Sequence, residues 1–384
     1  MAVRKTIGIA IDPEWPHKHH QGVLRGILEA GEERGWRCEL DPFVGRAPGG
    51  RYDGIIARAG RSLVHYARRS GVPVVNVWVN SPDRTLPRVV PDQAEAGRIA
   101  AAHLLERGFR RFGFLGHPGD LNSMLLFEGF RTAVAAAGAR CERLLVPHGT
   151  HSPSRWRRVQ SALAGWIRTW RAPLGILAAD DLHARFLIEA ARRLGVRIPE
   201  EAGIVGCGNA EITCGMMVPA LTSVEYGFER VGRRAVELLD RLMRGARPPA
   251  RPVLVPPVGV VARLSTDVFA VDDPDVRKAL RVIWELSRRP LKVAQILEAV
   301  PLSRRTLERR FRTVLGRGVH EQIVRAHVER ARRLLAETDE PVKQVARDSG
   351  FRSPQQLSRV FRLCEGMTPL AFRRRHRGGG ESPA

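Results

Sequence analysis

Two basic helix-turn-helix patterns lie about 50 residues apart near the C-terminus, and they commit residues 275–377 to an all-helical fold. The first runs from Val293 to Phe311 and the second from Val342 to Arg362. In each, a short apolar-faced helix meets a turn, and Ser303 or Ser353 caps a second helix rich in Arg or Gln. Leu307 and Phe311, at i and i+4, mark the buried stripe of the first such helix and leave Arg304, Arg305, Glu308 and Arg309 outward. Leu357, Val360 and Phe361 do the same for the second, exposing Gln355, Gln356, Arg359 and Arg362. Laid in a major groove, these helices offer Arg to guanine, Gln to adenine and Glu308 to cytosine, while Arg352 and Arg362 suit phosphate. Between the motifs, Val319–Glu337 reads as one helix of roughly 28 Å. That length suits two reading helices held about one duplex turn, ~34 Å, apart.

Charge points the same way. The chain's formal net charge is +23, and residues 274–377 hold 25 Lys/Arg against 11 Asp/Glu, or +14 of it. Concentrated positive charge is the footprint of polyanion binding. The N-terminal part is Arg-rich too, so an Arg-rich background accounts for some of the excess.

Residues 5–262 follow another rule. Short apolar runs (Thr6–Ile11, Trp36–Leu40, Gly54–Ala57, Pro73–Val77, Phe112–Leu115, Leu144–Val146, Gly175–Ala178, Gly203–Gly206) alternate with amphipathic helical patterns. Many of the helical patterns end at a Gly, such as Gly71, Gly138 or Gly195, placed to cap in the left-handed conformation. This alternation predicts parallel sheets with helices on both faces. Residues 246–261 read as one extended strand, 265–274 as a linker and 378–384 as a disordered tail.

In such sheets ligands bind beyond the carboxyl ends of the strands. The loops there carry Asp12, Trp15, Trp78, Asp92, Asp180 and Asn209, a set suited to a small polyol: carboxylates and amides take hydroxyls, and an indole face covers C–H groups. Asp92 and Asp181 read equally as helix N-caps, and Trp15 and Trp78 as core packing. The five cysteines show no zinc spacing, and the clustered His17, His19 and His20 of one loop segment do not readily share one tetrahedral ion, so neither metal nor cofactor is expected. No phosphate loop, no Gly-x-Ser-x-Gly elbow and no nucleophile–base pair emerges, which argues against an enzyme. The N-terminal apolar run is too short for a signal peptide, and no stretch nears the ~18–20 apolar residues of a membrane span, so a cytoplasmic protein without membrane partners is expected.

The C-terminal segment resembles the AraC/XylS family of transcription regulators, on both motifs, the Gly350-Phe351 turn and the closing Gly366-Met367-Thr368-Pro369-Leu370-Ala371-Phe372-Arg373. The resemblance implies base contacts by Arg305, Arg309, Gln355, Gln356 and Arg359. Residues 1–264 resemble the sugar-sensing domain of LacI-type repressors, through Leu177-Ala178-Ala179-Asp180-Asp181, Gly203–Gly206, Ala220–Val224 and Val231–Leu239. The fusion of the two, with Pro256–Asp267 at the junction, is similar to the XylR-like family. It implies an α/β two-lobed periplasmic-binding-protein-like domain, built on Rossmann-like parallel sheets, followed by an all-α domain with two helix-turn-helix motifs at 275–377. The implied partners are operator half-sites in duplex DNA, a monosaccharide effector such as xylose, a second copy of the chain and RNA polymerase. The implied mechanism closes two lobes on the ligand and reorients the DNA-reading modules of a homodimer. In two places the chain departs from the sugar-binding pattern: Gly208 stands where Asp is usual in a Gly-x-Asp-Asn/Asp turn, and Leu126 where Arg is usual three residues before Gly-Phe. Each loss removes a charge-assisted hydrogen bond worth roughly 1.5–3 kcal/mol. A ligand-independent architectural DNA binder, its N-terminal part serving only dimerisation, is the competing reading.

Overall fold

The computed structural model describes residues 5–11, 18–44, 52–148, 152–267, 271 and 273–377. The chain falls into two compact units, one of residues 1–95, 119–125 and 226–257, the other of 96–118, 126–225 and 258–384.

The first unit starts as strand–helix alternation requires: β1 (Thr6–Ala10), α1 (Lys18–Glu32), β2 (Arg37–Leu40), β3 (Gly54–Ala57), α2 (Arg61–Ser70) and β4 (Val74–Asn76). They form a parallel sheet in the order β2-β1-β3-β4. Its core joins Ile7, Ile9, Ile56 and Val75 of the sheet to Ile27 of α1 and to Val231, Val236 and Leu239 of α8 (Phe228–Met243). Helices α1 and α8 cross closely because both carry Gly at the contact: a Cβ on Gly26 would sit 2.0 Å from the Glu229 carbonyl oxygen, and one on Gly232 2.2 Å from that of Val23.

The chain continues with β5 (Val89–Pro91, in the first unit), α3 (Gln93–Glu106), β6 (Arg111–Gly116), α4 (Leu121–Ala136), β7 (Cys141–Leu145), α5 (Pro153–Ile167), β8 (Leu174–Ala178), α6 (Asp181–Arg193), β9 (Ala202–Cys207), α7 (Glu211–Met216) and β10 (Thr222–Glu225), most of them in the second unit. The segment expected as one strand is two, β11 (Val253–Val255) and β12 (Gly259–Val261). Pro256 and Pro257 separate them, having no N–H to continue a ladder. β11 pairs with β5, while β12 runs antiparallel to β10 at the edge of the sheet β12-β10-β9-β8-β6-β7. Within the segment expected as a linker, the first two residues are packed against the sheet domain. Ser265 and Thr266 are fully buried: Ser265 Oγ accepts from Thr222 N at 2.9 Å and Thr266 O from Arg107 Nε at 2.7 Å. Their hydroxyls find partners inside the lobe, so polarity there does not mark a free segment.

The helical domain comprises α9 (Pro274–Leu286), α10 (Val293–Leu297), α11 (Arg304–Leu315), α12 (Val319–Glu337), α13 (Val342–Asp348), α14 (Pro354–Glu365) and α15 (Pro369–Arg377). It is a tandem repeat: Ser303, Leu307, Phe311 and Gly316 recur as Ser353, Leu357, Phe361 and Gly366, a constant 50 positions on. Each half has its own core. Ile296, Leu307 and Phe311 pack with α9 and the first part of α12, and Val345, Leu357 and Phe361 with α15 and the second part. Within this unit the sheet domain meets the helical one through α3, where the Arg107 guanidinium lies 4.9 Å over the Trp284 ring. Among the described residues no helix is long and apolar enough to cross a membrane.

Candidate DNA-reading and ligand-sensing sites

Each reading helix is fixed from both ends. Ser303 Oγ accepts from Thr306 N at 3.2 Å and Ser353 Oγ from Gln356 N at 3.1 Å, while Gly316 and Gly366 close the C-termini at φ 71°. Gly350, at φ 77°, makes the turn into the second, and a Cβ there would lie 2.6 Å from His327 Nε2. With Leu307, Phe311, Leu357 and Phe361 buried, Arg304, Arg305, Arg309, Arg352, Gln355, Gln356, Arg359 and Arg362 are all exposed. Two residues also serve the fold. Gln356 Oε1 accepts from Arg352 N, the residue before the N-cap Ser353, at 2.9 Å and so ties down the entry to α14. Glu308, expected to face cytosine, is half-buried and turned the other way: its Oε2 accepts from Val319 N at 3.3 Å and caps α12. A carboxylate at a helix N-terminus meets unsatisfied N–H groups and a favourable dipole, which outcompetes a solvent-facing rotamer.

The residues expected to bind ligand fall in both units. Asp12 and Trp15 lie outside the described residues. In the first unit Trp78 is half-buried, with the Arg58 guanidinium 4.4 Å over its ring, so one indole face is already covered. Asn76, fully buried, ties this loop down: its Oδ1 accepts from Trp78 N at 3.0 Å and from Ala59 N at 3.1 Å. Asp92 is the N-cap of α3, accepting from Glu95 N at 2.9 Å. Beside it, Gln93 accepts from the Tyr226 hydroxyl and donates to Asn122 Oδ1 at 3.1 Å.

In the second unit Asn209 is held in the left-handed region at φ 48°, its Nδ2 donating to Glu225 at 3.0 Å and its Oδ1 accepting from Arg263 at 2.7 Å. Asn209 and Glu225 line a cavity shared with β12 and with Arg332 and Arg333 of α12. Gly208 sits at φ 113°, and a Cβ there would lie 3.4 Å from Asp181 Oδ2. A carboxylate at 208 would thus meet both backbone strain and Asp181, which occupies the neighbouring space. Burial pushes the Asp181 carboxyl up to about 7, although Ser223 Oγ and Ala210 N both donate to it. Leu126, where the family pattern has Arg, is 1% exposed and belongs to the core.

Asp180 caps α6 through His183 N at 2.7 Å. It also faces two imidazoles, His117 Nε2 at 2.7 Å and His183 Nδ1 at 2.9 Å. Burial opposes its charge, and the hydrogen bonds to His117 and His183 outweigh that and hold the carboxyl well below the usual carboxylate range. Sequence reasoning picked out Asp180 but not His117, His148 and His183. The signal lies in strand order, since His117, His148 and Asp180 each follow a strand and those strands are neighbours in the order β8-β6-β7.

A periplasmic binding protein-like domain family matches residues 101–266 and a helix-turn-helix domain family residues 296–375. The xylose operon regulatory protein of Escherichia coli (strain K12) is 34% identical over 278 residues, 71% of this chain and 70% of that protein. Its namesake in Haemophilus influenzae is 30% identical over 288 residues, covering 75% and 74%. A solved structure of the xylose-binding transcription activator XylR superposes with a TM-score of 0.60 at 28% identity, over 97% of this chain and 98% of that one. The fold and its exposed reading helices define a DNA-binding transcription regulator, with a periplasmic-binding-protein-like sensor joined to an AraC-type double helix-turn-helix. The chain belongs to the family of the xylose operon regulatory proteins.

Proposed function

We propose that the protein activates transcription in the cytoplasm as a homodimer when a monosaccharide, xylose first among the candidates, binds its sensor domain. The observation that carries this reading is the full-length likeness to a xylose-binding activator, sensor and reader together. The sugar drives the change through higher affinity for the DNA-competent state, and activation would bring RNA polymerase into contact with the bound dimer. The sensor domain spans residues 1–264, the connecting segment 265–274 and the reader 275–377.

The test is thermal stability of the purified protein against pentoses, hexoses, sugar acids and polyols. At a hundredfold excess over Kd, the true effector should add about 2.7 kcal/mol. Stabilisation by D-xylose supports the reading, a different sugar renames the effector, and silence across the panel sinks it in favour of a ligand-independent DNA binder.

Base reading is tested separately. Arg305→Ala and Arg359→Ala should each relax specificity at one or two base pairs, costing about 1–3 kcal/mol on the operator and far less on random DNA. Equal losses on both DNAs would reduce these arginines to phosphate contacts.

A further inference from the structure

We propose that His117, His148 and Asp180 bind one divalent transition-metal ion of the zinc, cobalt or nickel type. Their donor atoms lie within 4.8 Å of one another. They come from the loops after three neighbouring parallel strands, β6, β7 and β8.

His117, 2% exposed, is the most buried of the three. Its Nδ1 lies 3.0 Å from the Val146 carbonyl oxygen. A carbonyl only accepts, so Nδ1 carries the ring's proton. In a neutral ring Nε2 is then the lone-pair nitrogen, and it lies 2.7 Å from Asp180 Oδ2, another lone-pair atom. Two acceptors that close repel each other unless a cation joins them, either a second proton on the ring, which makes the contact an ion pair, or a metal ion. A backbone carbonyl that fixes the tautomer and presents the other nitrogen is the outer shell of a metal-binding histidine. Asp180 is pinned in the same manner, its Oδ1 accepting from His183 N and Nδ1 at 2.7 and 2.9 Å. His148 is exposed, on a loop, and its ring lies 3.5 Å from that of His117.

Two imidazoles and a carboxylate suit borderline ions, whereas calcium and magnesium prefer all-oxygen sites. With metal–ligand bonds of about 2.0–2.1 Å, the His117–Asp180 separation need widen only to about 3.3 Å for a tetrahedral ion. Three protein ligands leave a position for water or an effector oxygen. The site stands whichever sugar the sensor takes.

The experiment uses the full chain, stripped with a chelator and titrated with Co2+, read by visible ligand-field absorption and by equilibrium dialysis. We expect one saturable Co2+ per chain, displaced by Zn2+. His148→Ala, exposed and outside the core, should weaken binding by about tenfold or more. His17→Ala/His19→Ala should leave it unchanged, which separates this site from the N-terminal histidines. Asp180→Asn should abolish it, with circular dichroism to confirm that α6 is still capped. No saturable binding would overturn the proposal and leave a proton as the bridge between His117 and Asp180. Binding that ignores His148 and is lost with His17 and His19 would overturn it as well.

Discussion

Phe361→Ala is expected to destabilise the second helix-turn-helix by about 3–5 kcal/mol and to remove operator binding while the sensor domain stays folded. Phe361 is fully buried and meets Phe372 edge-on, with ring centroids 5.3 Å apart at 79°. Around it lie Val328, Ala331, Leu335, Val345, Ala346, Phe351 and Leu357, a core with few other large side chains to close over a cavity. Of the residues of α14, Leu357 and Phe361 are buried, with Val360 partly buried beside them, and they set the azimuth at which Gln355, Arg359 and Arg362 face outward. Truncation therefore removes both packing energy and the register of the reading face. Urea unfolding followed by far-ultraviolet circular dichroism gives the first quantity, and gel-shift titration on operator DNA the second. A loss below about 1 kcal/mol with unchanged DNA affinity would show that α14 is positioned by something other than this core.

That pair of anchors was legible in the sequence, and the reason is local. A helix states its buried face through a 3.6-residue period, so Leu307/Phe311 and Leu357/Phe361 identify the opposite face without tertiary knowledge. The ends of α12, Val319 and Glu337, were readable for the same reason, with Gly318 before the first turn. The role of Glu308 was not legible in this way because its partner, Val319 N, belongs to the next helix. Short strands were harder. β10, Thr222–Glu225, is missed by hydropathy because Thr222 and Ser223 are fully buried polar residues, satisfied by Thr266, Ser265 and Asp181. The sensing end was the least readable. Its histidines and Asp180 lie about 30 residues apart along the chain, and the strand order β8-β6-β7, set by tertiary pairing, brings them together.

The junction between the sensor lobe and the helical domain yields the second large effect. Arg332 of α12 is 16% exposed and pairs with Glu329 at 3.0 Å and Glu365 at 3.4 Å. Glu106, at the end of α3, belongs to the same cluster. Burial and the Glu329 carboxylate push it up to about 7, against the pull of Arg332. Removing one cation from three crowded carboxylates leaves uncompensated buried charge, so Arg332→Met should cost roughly 2–4 kcal/mol at neutral pH, the residual exposure keeping it under the full cost for a buried pair. The pH dependence has a definite sign. Glu106 has a folded pKa above its unfolded value of 4.5, so the folded chain holds a proton that the unfolded chain releases. Its contribution to stability is complete below about 4.5 and is lost as pH rises through about 7. Without Arg332 that folded pKa moves higher still, and the penalty of the variant should be larger at about pH 8 than at about pH 5.5. Urea unfolding of both proteins at the two pH values measures this. The double variant Glu106→Gln/Arg332→Met should recover part of the loss at the higher pH, because it removes the carboxylate that the missing guanidinium no longer offsets. A penalty independent of pH, or no recovery in the double variant, would assign Arg332 to packing against Phe372, whose ring lies 5.8 Å from its guanidinium. If the charge account holds, α3 and α12 are joined by ionic contacts that respond to proton activity, and a regulator whose reader is fastened to its sensor in this way should lose effector-dependent DNA binding before it loses its fold.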